Sequence, residues 1–121
     1  MNFNNSSANF TTRYLQGSGS IAASGNLART YLGEINYSTR TTSTSASVSI
    51  YIPNYSGSSQ KSFSIDTVTE ANSGASESAL AALLAGLWSD SSAITYIKLT
   101  PWSSQTFLQY TTATLYGIKN S

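Results

Sequence analysis

Short runs of alternating apolar and polar residues dominate the pattern of this chain. The clearest run is Ser47 to Ile52, where Val48, Ile50 and Ile52 alternate with Ser47, Ser49 and Tyr51. A side-chain period of two is typical of a β-strand with one buried face. The same reasoning predicts extended segments at Asn9 to Gln16, Leu27 to Asn36, Lys61 to Glu70, Ala93 to Thr100, Thr106 to Tyr110 and Thr112 to Lys119.

Glycine and proline mark the turns between these runs. Gln16 to Ser20 holds two glycines, which supply the positive φ angles of a tight reversal. Pro53 to Gly57 is predicted to be a turn, because proline cannot donate to a strand ladder. Val68 falls out of phase with Phe63 and Ile65, which predicts a bulge or bend there.

The segment from Ser76 to Trp88 is open to two interpretations. Its leucines and Trp88 recur at helical spacing, and its alanines favour a helix. The run is also apolar on both faces, as a strand in the middle of a sandwich would be, and Gly86 disfavours a helix interior. Periodicity alone leaves strand and helix open.

Seven or eight short strands at this spacing predict an all-β chain built as a β-sandwich. We expect one domain over residues 9–121, preceded by an N-terminal arm from Met1 to Ala8. The arm is polar apart from Phe3 and the starting methionine. Two interpretations of it are open: a partner holds it in place, or it packs on its own domain.

Composition then narrows the chemistry. The 121 residues include 11 charged side chains, no cysteine and no histidine, and Ser, Thr and Asn together match the hydrophobic residues in number. A serine–histidine triad, a thiolate nucleophile and a soft-metal site are therefore excluded. The five carboxylates are scattered. We predict neither an enzyme nor a chain with a cofactor or metal.

Charge and hydropathy also bear on partners. A net charge of +1 gives no electrostatic footprint for nucleic acid. No run of apolar residues is long enough to span a bilayer, and the start lacks the pattern of a secretory signal. We therefore expect a protein made in the cytoplasm that has neither nucleic acid nor membrane as its partner.

Several blocks of the chain, in order, resemble the small structural proteins of tailed bacteriophages. The resemblance is carried by Asn9 to Gln16, by Ile50 to Tyr55 with the Lys-Ser-Phe-Ser-Ile strand of Lys61 to Ile65, by Gly86 to Thr95 with its Gly-Leu-Trp start, and by Thr114 to Lys119. It covers nearly all of the chain. It implies a jelly-roll-like antiparallel β-sandwich that assembles as a homotrimer, and it favours a strand at Leu84 to Ser89.

The resemblance implies a place in the virion. The expected function is that of a capsid decoration (cement) protein, which binds and stabilises the shell of the major capsid protein on the capsid surface. The chain has neither the long shaft nor the repeats of a typical fibre. The alternative is a tail-associated module that binds a receptor or a host glycan.

Candidate interface residues follow from side-chain type. Tyrosine gives a large contact area at low entropic cost, and arginine offers a planar fork of donors. Packing at the ends of the sandwich is the competing interpretation for the aromatic rings, and Trp88 is expected in the core. The interface candidates are Phe3, Arg40, Tyr51, Tyr55 and Trp102.

Overall fold

The computed structural model describes residues 1–19, 21–31, 35, 44–70, 79–101 and 103–118. Within these residues the chain contains strands and no helix. The strands form one five-stranded and one two-stranded antiparallel sheet, an all-β arrangement consistent with a β-sandwich. The strands are β1 (Asn2–Phe3), β2 (Phe10–Ser18), β3 (Ile21–Leu27), β4 (Ala46–Tyr51), β5 (Lys61–Thr69), β6 (Leu80–Trp88) and β7 (Ile97–Lys98).

The larger sheet has the strand order β3-β2-β6-β5-β4. Its central strand, β6, pairs along its length with β2 on one side and β5 on the other. Strand is therefore the correct interpretation of residues 80–88, while residues 76–78 lie outside the described part of the chain. The predicted strands at Asn9 to Gln16, Ser47 to Ile52 and Lys61 to Glu70 are confirmed as β2, β4 and β5.

The prediction for the second extended stretch was wrong in position. The strand ends at Leu27 instead of beginning there. Gly19 has φ 58°, so the chain reverses at once and Ile21 pairs with Ser18. Residues 32–34 and 36 of the predicted stretch lie outside the described residues.

The predicted bulge at Val68 was also wrong. β5 alternates regularly from Lys61 to Thr69, with Thr67 and Thr69 buried and Val68 exposed. The prediction assumed that the apolar residue of this segment would be buried. Instead Thr67 and Thr69 are buried and Val68 is exposed, so the strand alternates without a bulge.

Three predictions near the C-terminus are wrong for most of their length. Of Thr106 to Tyr110, only Phe107 forms a bridge, and residues 109–110 lie in a turn. Of Ala93 to Thr100, only residues 97–98 form a strand, which pairs with β1. No strand forms over 112–118, although these residues alternate in sequence. Alternating side chains are compatible with a strand, but a strand also needs a hydrogen-bonding neighbour. Among the described residues, none forms a strand pair with this segment.

One face of the large sheet, here called the inner face, carries the core. Phe3 lies at its centre, with ring centroids 5.4 Å from Phe10, 5.6 Å from Phe63 and 5.5 Å from Trp88. Tilted and edge-to-face contacts at these distances are favourable for aromatic rings. The side chain of Trp88 is buried, as the sequence predicted.

Gly86 makes this packing possible. It faces Phe63 across the β5–β6 pair, and a Cβ on Gly86 would overlap the Phe63 ring. The aromatic ring therefore lies directly over the glycine backbone, a cross-strand pairing that covers the exposed main chain. A weaker version recurs where a Cβ on Gly25 would lie 2.6 Å from the Tyr14 hydroxyl.

The N-terminal arm packs on its own domain. Met1 and Phe3 are buried, and β1 pairs with β7. Asn4 adopts φ 50° and its side chain fastens the arm to the 93–96 segment: Nδ2 donates to the Ala93 carbonyl at 2.8 Å, and Oδ1 accepts from the backbone N–H groups of Thr95 and Tyr96 at 2.9 and 3.2 Å. The second of the two interpretations of the arm is the one that the structure shows.

Candidate interaction surface

The face of the large sheet opposite the core, here called the outer face, is open to solvent. Cross-strand register places its side chains in rows. Leu83, at 59% exposure on the central strand, lies at its middle. Three successive rows are Arg13–Ala85–Ser64–Tyr51, Leu15–Leu83–Asp66–Ser49 and Gly17–Ala81–Val68–Ser47.

The outer face is apolar along its centre and polar towards β4. Ala81, Leu83, Ala85 and Leu87 form the outward side of β6. Leu15 and Val68 flank them from the two neighbouring strands, and both are exposed. An antiparallel sheet with one open face usually alternates apolar and polar side chains, so the apolar outward side of β6 is unusual for such a sheet. Within the described chain, only the inner side of β6 is buried.

The charge on these three rows balances. Arg13 and Asp66 are their only charged members. Serines on β4 and β5 and the hydroxyl of Tyr51 supply the remaining polar groups. Two adjoining shallow hollows lie on this face, and both are lined by Arg13, Tyr51, Ser64 and Ala85. Such a surface suits a neutral partner with apolar side chains and some hydroxyl groups.

A second exposed apolar feature is the C-terminal arm, defined here as residues 109–118. Every one of its side chains is exposed. Tyr110, Leu115, Tyr116 and Ile118 are 78–88% exposed, more than any other large apolar side chain that the structure describes. The segment holds no charged residue. Burial of such side chains yields roughly 1.5–3 kcal/mol each, and here that energy is not realised within one copy.

The candidate interface residues fall in different places. Phe3 is buried in the core of its own chain, so it has no surface left for a partner in this conformation. Tyr51 lies on the outer face at 57% exposure, and Tyr55 projects from the Pro53 turn at 51% exposure. Arg40 and Trp102 lie outside the described residues.

Sequence reasoning missed the main part of this surface. None of Leu15, Leu83 and Val68 is among the predicted interface residues, and the sequence predicts a strand at Thr112 to Lys119. The available signal is that β6, residues 80–88, is apolar on both faces, a pattern compared above with a strand in the middle of a sandwich. Its outward leucines are the ones left exposed.

Lys61 is buried on the inner face, and its ammonium group is hydrogen-bonded to backbone carbonyls. Lys61 Nζ donates to the carbonyls of Gly57, Ser91 and Ser92 at 2.7, 3.0 and 2.6 Å, and it lies 5.9 Å from the centre of the Trp88 ring. All three ammonium protons are thereby used. The group ties the turn that holds Tyr55 to the loop after β6.

Among the described residues no cluster of three or more His, Cys, Asp or Glu side chains could hold a metal ion. The described part of the chain also contains no helix long and apolar enough to cross a membrane.

Searches against family models, curated proteins and solved structures found no match to the chain.

Proposed function

We propose that this chain is a jelly-roll-like structural protein of a tailed bacteriophage virion, acting as a trimeric decoration protein that binds and stabilises the major capsid shell. The observation that carries the proposal is the uncovered apolar outer face. A contiguous group of exposed apolar side chains on a small protein marks an interaction site, and assembling subunits have such sites. The order of sequence blocks supplies the connection with virions.

The composition supports the same role. A surface rich in hydroxyl groups and poor in charge packs against identical neighbours without like-charge repulsion, and its contacts depend little on salt. Three copies would also present three equivalent patches to the shell. Such multivalency turns weak single contacts into durable attachment.

Gold-labelled antibody against the purified protein, applied to particles from the source of the sequence, tests this role. Label distributed over the heads is the expected result. Label on tails alone would overturn the capsid assignment, and particles without label would overturn the virion role altogether. Light scattering on the purified chain should give about three times the 12.8 kDa monomer mass.

A second candidate is a tail-associated glycan-binding module, favoured by the exposed rings of Tyr51 and Tyr55 beside the Pro53 turn. Sugars stack on exposed aromatic rings. Binding on a glycan array that is lost in Tyr51→Ala and Tyr55→Ala, but kept in Tyr96→Ala, would support this function. Tyr96 is the matched control, since it is an exposed tyrosine in a different segment.

A further inference from the structure

Two exposed apolar features of one copy are complementary in shape and chemistry. The outer face is a broad sheet surface whose centre is apolar, and the C-terminal arm is a segment outside both sheets whose large side chains are apolar. Among the residues that the structure describes, none covers either feature. Both features are buried if the segment of one copy packs on the sheet face of another copy.

We propose that the C-terminal arm of one copy packs across the outer face of a second copy. The inference rests on the proposed role as an assembling subunit and names the contact that holds the assembly together. Leu115 would lie over the apolar centre formed by Leu15, Leu83 and Val68, and Tyr116 and Ile118, which alternate with it in an extended segment, would lie at the margin of the contact.

The dimensions agree with this contact. Residues 111–118 in extended form reach roughly 26 Å at about 3.3 Å per residue. Five strands spaced about 4.8 Å apart are ~19 Å across from first to last. The arm is therefore long enough to cross the whole sheet.

The chemistry agrees as well. The arm has no charge, and the three rows of the outer face hold one arginine and one aspartate, so their association leaves no net charge uncompensated. Threonine hydroxyls and the Tyr116 hydroxyl on the arm can meet the serines along β4 and β5. An apolar centre with a polar rim is the common composition of protein interfaces.

The contact also predicts the symmetry. An arm on one copy and a sheet face on the next are different surfaces, so the interface is heterologous. Heterologous contacts produce a closed ring when the rotation between neighbours permits it. Three copies, each giving one arm and receiving one, would leave no arm and no face uncovered.

The native chain lacks cysteine, which permits a direct test. Leu83→Cys and Leu115→Cys chains, one of them carrying a tag that increases its mass, are co-expressed and then oxidised. A disulfide-linked pair holding one chain of each kind is expected, and reductant should separate it. Ser58→Cys replaces Leu83→Cys in the matched control, because Ser58 is exposed in the turn between β4 and β5.

The outcomes of this test are distinct. Cross-linking to position 83 that is no stronger than cross-linking to position 58 would overturn the arm contact. A Leu83→Cys/Leu115→Cys double variant that forms only an intramolecular disulfide would also overturn it. Covalent oligomers from the double variant would support it.

A second measurement does not depend on cysteine. Leu115→Asp places a charge on the arm and leaves the core untouched, so the fold should persist and the scattering mass should fall from that of three copies to that of one. Unchanged trimer mass would overturn the inference. If the protein is a trimer but the Leu83–Leu115 cross-link does not form, the arm contact is rejected and the proposed virion role is not. If the cross-linked oligomer forms but the protein is absent from virus particles, the virion role is rejected and the arm contact is not.

Discussion

Individual residues in this protein hold loops that the sheets alone would leave unattached. Lys61 is the main example, because a buried ammonium is costly unless its protons are accepted. Here three backbone carbonyls accept these protons. The carbonyl of Gly57 lies before β5, and those of Ser91 and Ser92 lie after β6. The charge therefore connects the Pro53 turn with the loop at Ser91 and Ser92.

Replacing Lys61 by methionine should destabilise the protein by about 2–3 kcal/mol, because three part-buried carbonyls lose a charged donor while the methylene packing is largely kept. Urea unfolding of the purified variant measures the loss. Lys98→Met is the matched control, since Lys98 is exposed on β7. Equal effects at the two positions would mean that the three hydrogen bonds contribute little.

Gly86→Ala should cost roughly 1–3 kcal/mol, since the added methyl group must displace the Phe63 ring from the aromatic cluster. Combining it with Phe63→Leu should give less than the sum of the two single losses, because the leucine leaves space over residue 86. Gly17→Ala is the control: its Cβ would meet only one atom, at 3.9 Å. Additive losses in the double variant would contradict a direct Gly86–Phe63 contact.

Asp90 should contribute to stability only above acid pH. The Ser92 backbone N–H donates to its carboxylate at 2.7 Å, and this hydrogen bond lowers the pKa of Asp90 below its ordinary value. A lowered folded pKa means that the contribution is complete above the unfolded pKa and is lost as pH falls through the folded one. The stability difference between the native chain and Asp90→Asn should therefore be constant from pH 7 to about pH 5 and change below about pH 4. A difference that stays constant to pH 3 would contradict this assignment.

At the scale of elements, the strands differ in how far sequence could predict them. Alternation was sufficient for β2, β4 and β5, where one face is buried and the other is open. It was insufficient for β6, whose two apolar faces hide the period of a strand, and for β7, which is only two residues long. The aromatic cluster around Phe3 could not be foreseen, because nothing local to the arm indicates which sheet face it covers.

The candidate surface was predicted less well than the fold. Tyr51 was chosen for its residue type, and it does lie on the outer face. Phe3 was chosen for the same reason, yet it is buried in its own core. Residue type indicates what a side chain can do in a contact, whereas the face on which it lies depends on register between strands far apart in sequence.

Asn4→Ala should release the N-terminal arm from the 93–96 segment. The substitution removes the side-chain bonds to Ala93, Thr95 and Tyr96, and we expect a loss of about 1–3 kcal/mol. Hydrogen exchange should become faster at residues 94–98, with little change in β2, β5 and β6. Asn5→Ala is the control, because Asn5 shares the left-handed backbone, with φ 59°, but is exposed. Equal acceleration in both variants would mean that backbone strain, and not the side-chain bonds, holds the arm.

At the scale of the whole molecule, stability and assembly should be linked. The large sheet has one covered face and one apolar open face, and burying the open face between copies lowers the free energy of the folded state. Association therefore adds to the stability of each folded chain. Stability that includes a partner depends on the concentration of that partner. The thermal midpoint of the native chain should therefore rise with protein concentration.

For a trimer, each tenfold increase in concentration adds about 0.9 kcal/mol per chain, which raises Tm by roughly 3 °C. Calorimetry across a hundredfold range of concentration measures this slope. Leu83→Asp should abolish it, because the aspartate sits at the middle of the outer face, where the monomer already exposes residue 83 to water. Ser58→Asp adds the same charge on an exposed turn and should keep the slope. A Tm independent of concentration in the native chain would contradict self-association, and an equal slope in Leu83→Asp would place the contact elsewhere than the outer face.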